Sequence, residues 1–243
     1  MVLFQIFNIS KKIKQLFDNI ILQFPEINCL QYVVNQKKND TIYDLTPVYY
    51  HGKKYITEKI GQYNLRIYTK SFFQTNSYQV EKLYNIVKRF ANLYGSETVY
   101  DLYCGTGSIS IYLSSYAKKI IGIEVVSDAV VAAKENAKIN NINNTSFLQG
   151  DVKDILKEKN ILSQKPDVII VDPPRNGLDK LVVDSIINSN VNKIIYVSCN
   201  SATQARDINI FSEFYNLTKS QAIDMFPQTY HVENVVLLEK IYQ

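Results

Sequence analysis

Cysteine is scarce and scattered: Cys29, Cys104 and Cys199 are the only three in 243 residues, with no C-x-x-C spacing. An odd number so dispersed excludes a disulfide framework and gives no metal or iron–sulfur ligand set, so a reducing, cytoplasmic setting is the default. Long apolar runs are missing as well. Stretches such as 168–171 (VIIV) and 235–238 (VVLL) fall far short of the roughly 18–20 residues that cross a bilayer. No basic stretch leading into an apolar segment and a small-residue cleavage site opens the sequence, so neither a membrane span nor secretion is expected. Arginine is rare too, at four of the 27 basic residues (Arg66, Arg89, Arg175, Arg206). The surplus of Lys, Asn, Ile and Tyr reads as compositional bias rather than a recognition surface. A net charge of +4 permits a nucleic-acid partner without requiring one.

What is present is a change of rhythm along the chain. Ile9, Ile13, Leu16, Phe17, Ile20, Ile21 and Phe24 recur at helical spacing and predict a helix that Pro25 ends. Residues 28–69 break into short β-type runs separated by Asn, Asp and Gly, which predicts a meander or small antiparallel sheet. From about Ser71 a long amphipathic helix is expected, with Val80, Leu83, Tyr84, Val87, Phe90 and Ala91 on one face. Apolar strand candidates follow at Thr98–Leu102, Lys119–Ile123, Ser146–Leu148, Asp167–Val171 and Lys193–Val197, mostly with helix-period segments between them. Such alternation predicts an α/β fold, a doubly wound Rossmann-like parallel sheet with helices on both faces. Tyr215–Met225 and His231–Tyr242 read as successive strands, an antiparallel hairpin at the sheet's edge. The expected division is a small α+β unit over 1–70 and a larger domain over 71–243.

Five motifs carry chemistry. Asp101-Leu-Tyr-Cys-Gly-Thr-Gly-Ser108 follows the first strand of the larger domain and opens a helix, with glycines that let backbone approach a ligand. Glu124, 23 residues after Asp101, ends the next strand, where a carboxylate can accept hydrogen bonds from ribose hydroxyls. The full G-x-G-x-x-G and a P-loop lysine are both missing, which favours a nucleoside over a pyrophosphate ligand; a plain Gly turn is the bland alternative. Asp172-Pro-Pro-Arg175 sets a rigid backbone and a carboxylate at a strand's carboxyl end. Ser198-Cys199-Asn200 places a thiol just ahead of a helix, whose dipole favours the thiolate, though a buried core cysteine is the commoner fate. Cys104 competes as nucleophile, but its place within the Gly turn suggests packing. In His231-Val-Glu233, burial of Glu233 at a strand's entry would raise its pKa toward that of a working base. Ser71-Phe-Phe-Gln-Thr-Asn-Ser77 reads most simply as a helix cap with a hydrophobic staple.

Taken together, these segments resemble the RNA uracil-5-methyltransferases, which use S-adenosyl-L-methionine to make 5-methyluridine in tRNA and rRNA. The resemblance covers about 70–243 and rests on Ser71-Phe-Phe-Gln-Thr-Asn76, Asp101-Leu-Tyr-Cys-Gly105, Asp172-Pro-Pro-Arg175, Ser198-Cys-Asn200 and His231-Val-Glu233, in the family's order. Residues 1–70 look more loosely like the family's smaller central unit. The resemblance implies a nucleophile at Cys199, a general base at Glu233, and positions lining cofactor and target base at Gln74, Tyr103, Glu124 and Asp172. It implies S-adenosyl-L-methionine as cofactor, no metal, RNA as partner, no membrane, and a monomer in the cytoplasm. Uracil C5 is a weak nucleophile, and a thiolate added at C6 makes it an enolate-like carbon able to take a methyl group. The target must leave its stack, and Phe72 or Phe73 is suited to hold it.

Relatives commonly carry an N-terminal OB-like RNA-binding domain, some with a four-cysteine iron–sulfur cluster. The chain therefore reads as a C-terminal catalytic portion or a short family member. The competing expectations are a cytosine-5 RNA methyltransferase and a catalytically incomplete fragment or RNA-binding factor on a methyltransferase fold. The DNA cytosine enzymes place their nucleophile after a proline, whereas Cys199 follows Ser198. RNA cytosine enzymes have a second cysteine near the position of 172–175, absent here. An amino-group methyltransferase would have an aromatic residue where Arg175 stands.

Overall fold

The structure, a computed structural model, describes residues 1–42, 44–157 and 165–242. Its centre is a seven-stranded sheet of β6 (Thr98–Leu102), β7 (Lys119–Glu124), β8 (Thr145–Gln149), β9 (Val168–Val171), β10 (Lys193–Ser198), β11 (Tyr215–Ile223) and β12 (Glu233–Lys240), in the order β11-β12-β10-β9-β6-β7-β8. The neighbours β10-β9-β6-β7-β8 pair in parallel, and β12 runs antiparallel to both β10 and β11. The expected strands and the terminal hairpin are thus present, with β12 on the inside of the hairpin. Chain order reverses at β6, which has β7 on one side and β9 on the other. That reversal opens a crevice at the carboxyl ends of the strands, the usual place for a ligand in such sheets.

The strands are apolar throughout because both faces are covered. Along β10, Ile195 and Val197 enter a core shared with Leu83, Val87 and Phe90 of α2 (Ser77–Ala91). Ile194 and Tyr196 face the other way, into a core with Val182 and Ile186 of α6 (Lys180–Ser189) and Phe211 of α7 (Ser201–Phe211). Each fully buried side chain of this kind contributes about 1.5–3 kcal/mol. Among the described residues, the remaining α-helices of this part are α3 (Ser108–Leu113), α4 (Ser127–Ile139) and α5 (Val152–Ile155). The helical segment expected between β8 and β9 lies partly outside the described residues.

The first 70 residues depart from a simple meander. A strand not expected from the sequence, β1 (Val2–Ile6), pairs in parallel with β2 (Cys29–Val34) across α1 (Lys11–Gln23), and β3 (Val48–Gly52) adds antiparallel to β2. Phe17 of α1 is fully buried against Phe4, Tyr32 and Tyr50, with ring centroids 4.9–5.8 Å away. A separate hairpin, β4 (Tyr55–Ile60) and β5 (Tyr63–Tyr68), turns at Gly61 and lies along α4. Two amides one helical turn apart hold it there. Asn136 accepts from the Arg66 N–H (2.7 Å) and donates to the Arg66 carbonyl (3.2 Å). Asn140 does the same for Asn64 (2.9 and 2.7 Å). The i, i+4 helix spacing therefore matches the i, i+2 strand spacing, and side chains complete the outer edge of β5.

The long helix begins at Ser77 rather than near Ser71, because Asn76 caps it by accepting from the Gln79 N–H (3.2 Å). No helix among the described residues is long and apolar enough to cross a membrane.

Candidate active site

Five segments from distant parts of the chain meet at one end of the sheet. Four are the carboxyl ends of β6, β7, β9 and β10. The fifth is the start of β12: because that strand runs backwards, its first residues lie beside the last of β10, with Ser198 opposite Asn234. Glu233 is therefore next to the segment that carries Cys199.

The turn after β6 requires left-handed backbone at Tyr103 (φ 63°), Gly105 (53°) and Gly107 (74°). Glycine accepts this freely, and Tyr103 adopts it at a cost. A Cβ at Gly107 would lie 2.8 Å from the Phe147 ring, so the turn is packed as well as bent. Cys104 points into this packing with Val130, Ala133 and Phe147, and burial pushes its thiol well above the ordinary range. That is the packing role its position suggested. Tyr103 is half-buried, and burial followed by the charges of Asp151, Asp179, Asp207 and Glu124 raises its phenol to about 12.

Glu124 uses both carboxylate oxygens on this turn and the next, accepting from the N–H groups of Gly105 (3.1 Å) and Val126 (2.8 Å). It borders a cavity of about 660 Å3 that also touches Gly105, Val126, Ala129, Lys70 and Phe72, with residues 39–42 as the opposite wall. Asp101 behind it is fully buried. Its Oδ2 accepts from the N–H and hydroxyl of Ser110 (3.1 and 2.6 Å), while Oδ1 has no partner. Burial raises this carboxyl to about 7 despite the Ser110 bonds, and Glu124 adds to the rise.

Burial raises the carboxyl of Asp172 well above the usual range, and the nearby charges of Glu233 and Asp101 push in the same direction. Cys199 is half-buried. Its thiol is raised by burial first and then by Glu233, with Arg175 pulling the other way and Asp172 adding to the rise. Desolvation and two carboxylates thus act against the thiolate that the helix dipole is expected to favour. Glu233 is 4% exposed, and burial raises it while Arg175 offsets part of the effect. Arg175 acts on both groups. It belongs to the Pro-Pro motif, but nothing local along the chain connects it to Cys199. The connection is tertiary: its carbonyl accepts from Asn200 Nδ2 (2.9 Å) and Thr203 Oγ1 (3.2 Å), which join the loop after β9 to the start of α7.

Gln74 is buried on the segment before α2. Of the two phenylalanines beside it, Phe73 packs against the core and Phe72, 72% exposed, lines the cavity. Asn76 caps α2 and also donates to the Met225 carbonyl (3.0 Å), linking this segment to the loop before β12.

The sequence model of the tRNA (Uracil-5-)-methyltransferase family matches residues 46–241. An uncharacterized RNA methyltransferase of Bacteroides thetaiotaomicron is 49% identical over 227 residues, 93% of this chain and 50% of that protein. One from Porphyromonas gingivalis is 48% identical over 89% of this chain and 47% of its own length. The crystal structure of Pyrococcus abyssi tRNA (uracil-54, C5)-methyltransferase, solved with S-adenosyl-L-homocysteine, superposes with a TM-score of 0.74 at 33% identity, covering 87% of this chain and 50% of that one. Trm5b from the same organism, at 16% identity and TM-score 0.64, shares the fold. The chain spans about half the length of the curated relatives it matches. A family match over this span makes the chain a member of the tRNA (uracil-5-)-methyltransferase family.

Proposed function

We propose that the chain catalyses S-adenosyl-L-methionine-dependent methyl transfer to C5 of a uridine in tRNA or rRNA, with Cys199 as nucleophile and Glu233 as base. The observation that carries this reading is the meeting of a half-buried thiol, a buried carboxylate and a guanidinium on facing strand ends. The reading also takes 71–243 as the catalytic domain with 1–70 as a smaller unit beside it, acting as a cytoplasmic monomer on RNA.

The residues present fit the cofactor. Glu124 keeps acceptor capacity beyond its two backbone bonds and faces a cavity large enough for a nucleoside, and the Gly105 turn allows close backbone approach. Tyr103, Gln74 and Asp172 are the further side chains assigned to hold cofactor and base. When bound, the cofactor supplies an electrophilic methyl group. Arg175 favours ionisation of Cys199, whose thiolate adds to uracil C6 and drives the C5–C6 electron pair onto C5 and O4. C5 is then placed to take the methyl group that bound S-adenosyl-L-methionine would supply, with S-adenosylhomocysteine as the leaving group. Glu233 removes the C5 proton, the C5–C6 double bond re-forms and the C6–S bond breaks, returning the thiolate.

RNA carrying 5-fluorouridine tests this, because fluorine at C5 leaves no proton to remove and the adduct persists. With cofactor, the wild type is expected to form a protein–RNA band stable to denaturation, and Cys199→Ala to form none. Glu233→Gln is expected to keep the adduct while losing turnover on ordinary uridine. An adduct that survives Cys199→Ala refutes the assignment.

A further inference from the structure

The loop between β11 and β12 is closely tied, yet it presents one ring to solvent. Met225 is fully buried, and its carbonyl accepts from Asn76. The Phe226 N–H donates to Asp224 Oδ1 (3.2 Å), and the Phe226 carbonyl accepts from the N–H and hydroxyl of Thr229 (both 2.9 Å). The Thr229 hydroxyl oxygen in turn accepts from the His231 N–H (3.1 Å). These bonds order the backbone on either side of Tyr230, whose side chain is nevertheless 89% exposed.

One contact orients that ring. Its centroid lies 4.2 Å from the imidazole of His231, with the planes 42° apart. His231 Nε2 is 3.2 Å from Nη2 of Arg175. Because a guanidinium only donates, Nε2 is the acceptor and the ring proton sits on Nδ1. Arg175 in turn acts on Cys199 and Glu233. A continuous path of side chains thus runs from solvent to the nucleophile through Tyr230, His231 and Arg175. The Tyr230 ring adds little to folding, since almost none of its apolar surface is removed from water. It is, however, pre-oriented at the rim of the site.

We propose that Tyr230, backed by His231, is the stacking platform for the base next to the target uridine in an unpaired RNA segment. The inference rests on the uridine methyltransferase reading. A uridine that leaves its stack strips one face from its neighbour, and an aromatic ring at the mouth of the site replaces the lost contact. Stacking of this kind tolerates any base, so the platform sets the path of the strand rather than its sequence.

The test uses the whole chain with RNA stem-loops that carry 5-fluorouridine in the loop and 2-aminopurine on its 5′ or 3′ side. In the trapped wild-type complex, 2-aminopurine fluorescence is expected to be quenched on one flank. Tyr230→Phe and Tyr230→Trp keep that quenching and the RNA affinity. Tyr230→Ala loses the quenching and binds RNA about 5- to 150-fold more weakly, the range for one stacked base, while S-adenosylhomocysteine affinity and thermal stability stay unchanged. If Tyr230→Ala binds and quenches like the wild type, the platform is refuted and the methyltransferase reading stands. If Tyr230→Ala loses thermal stability and S-adenosylhomocysteine affinity together with RNA binding, the ring is a structural cover and the platform is likewise refuted. If the wild type forms no adduct with any stem-loop, both fall.

Discussion

Asp101 makes stability depend on pH in the direction opposite to that of most carboxylates. Its carboxyl is fully buried, one oxygen lacks a partner, and its pKa rises from 3.8 to about 7. In the window between those values the folded state holds a proton that the unfolded state has released, so stability falls as pH rises. The difference of about 3 units, at about 1.4 kcal/mol per unit, amounts to about 4 kcal/mol lost between conditions well below pH 4 and well above pH 7. Asp101→Asn isolates this contribution, because asparagine keeps an oxygen for the Ser110 bonds and carries no charge. Urea unfolding of wild type and variant near pH 4.5 and near pH 8 measures it. The stability of the variant relative to wild type is expected to grow by roughly 3 kcal/mol from the lower to the higher pH, most of that window. A relative stability constant to within about 1 kcal/mol would show that Asp101 ionises inside the fold at an ordinary carboxylate pKa, and the reasoning fails.

Two further predictions concern the loops around Cys199. Iodoacetamide is expected to label Cys199 in the folded chain and to leave buried Cys29 and Cys104 unmodified, at a rate that climbs only at alkaline pH because the thiol is raised. Arg175→Ala should move that rise to higher pH and Glu233→Gln to lower pH, and mass spectrometry of labelled peptides across a pH series reads both. Asp207 stabilises the same region: its Oδ2 accepts from the Leu178 N–H and the Tyr196 hydroxyl (both 2.8 Å), and all three residues are buried. Asp207→Ala leaves two buried donors unpaired, with an expected loss of about 3–5 kcal/mol in urea unfolding. Tyr196→Phe, which keeps the Leu178 bond, should lose less.

The hydrophobic pattern was legible along the β-strands of the large sheet because burial on both faces leaves continuous apolar runs. β1 was not legible, since its five residues gain their partner only after α1 brings β2 alongside. The asparagines of α4 illustrate a second kind of gap. As composition they looked like bias, yet Asn136 and Asn140 complete the edge of β5. Nothing in their own neighbourhood along the chain marks them for that use.

The strand–helix alternation, the Gly turn after β6 and the residue types at each strand end are readable along the chain, because these follow from local backbone preference and from apolar periodicity. Which of those residues act on one another depends on how the chain folds. The reversal of β12 puts Glu233 beside the Cys199 segment, and the Asn200 and Thr203 bonds bring in Arg175. Burial among carboxylates raises the Cys199 thiol. Electrostatics and desolvation depend on distance through space, and residues 172, 199 and 233 are remote along the chain but share one end of the sheet.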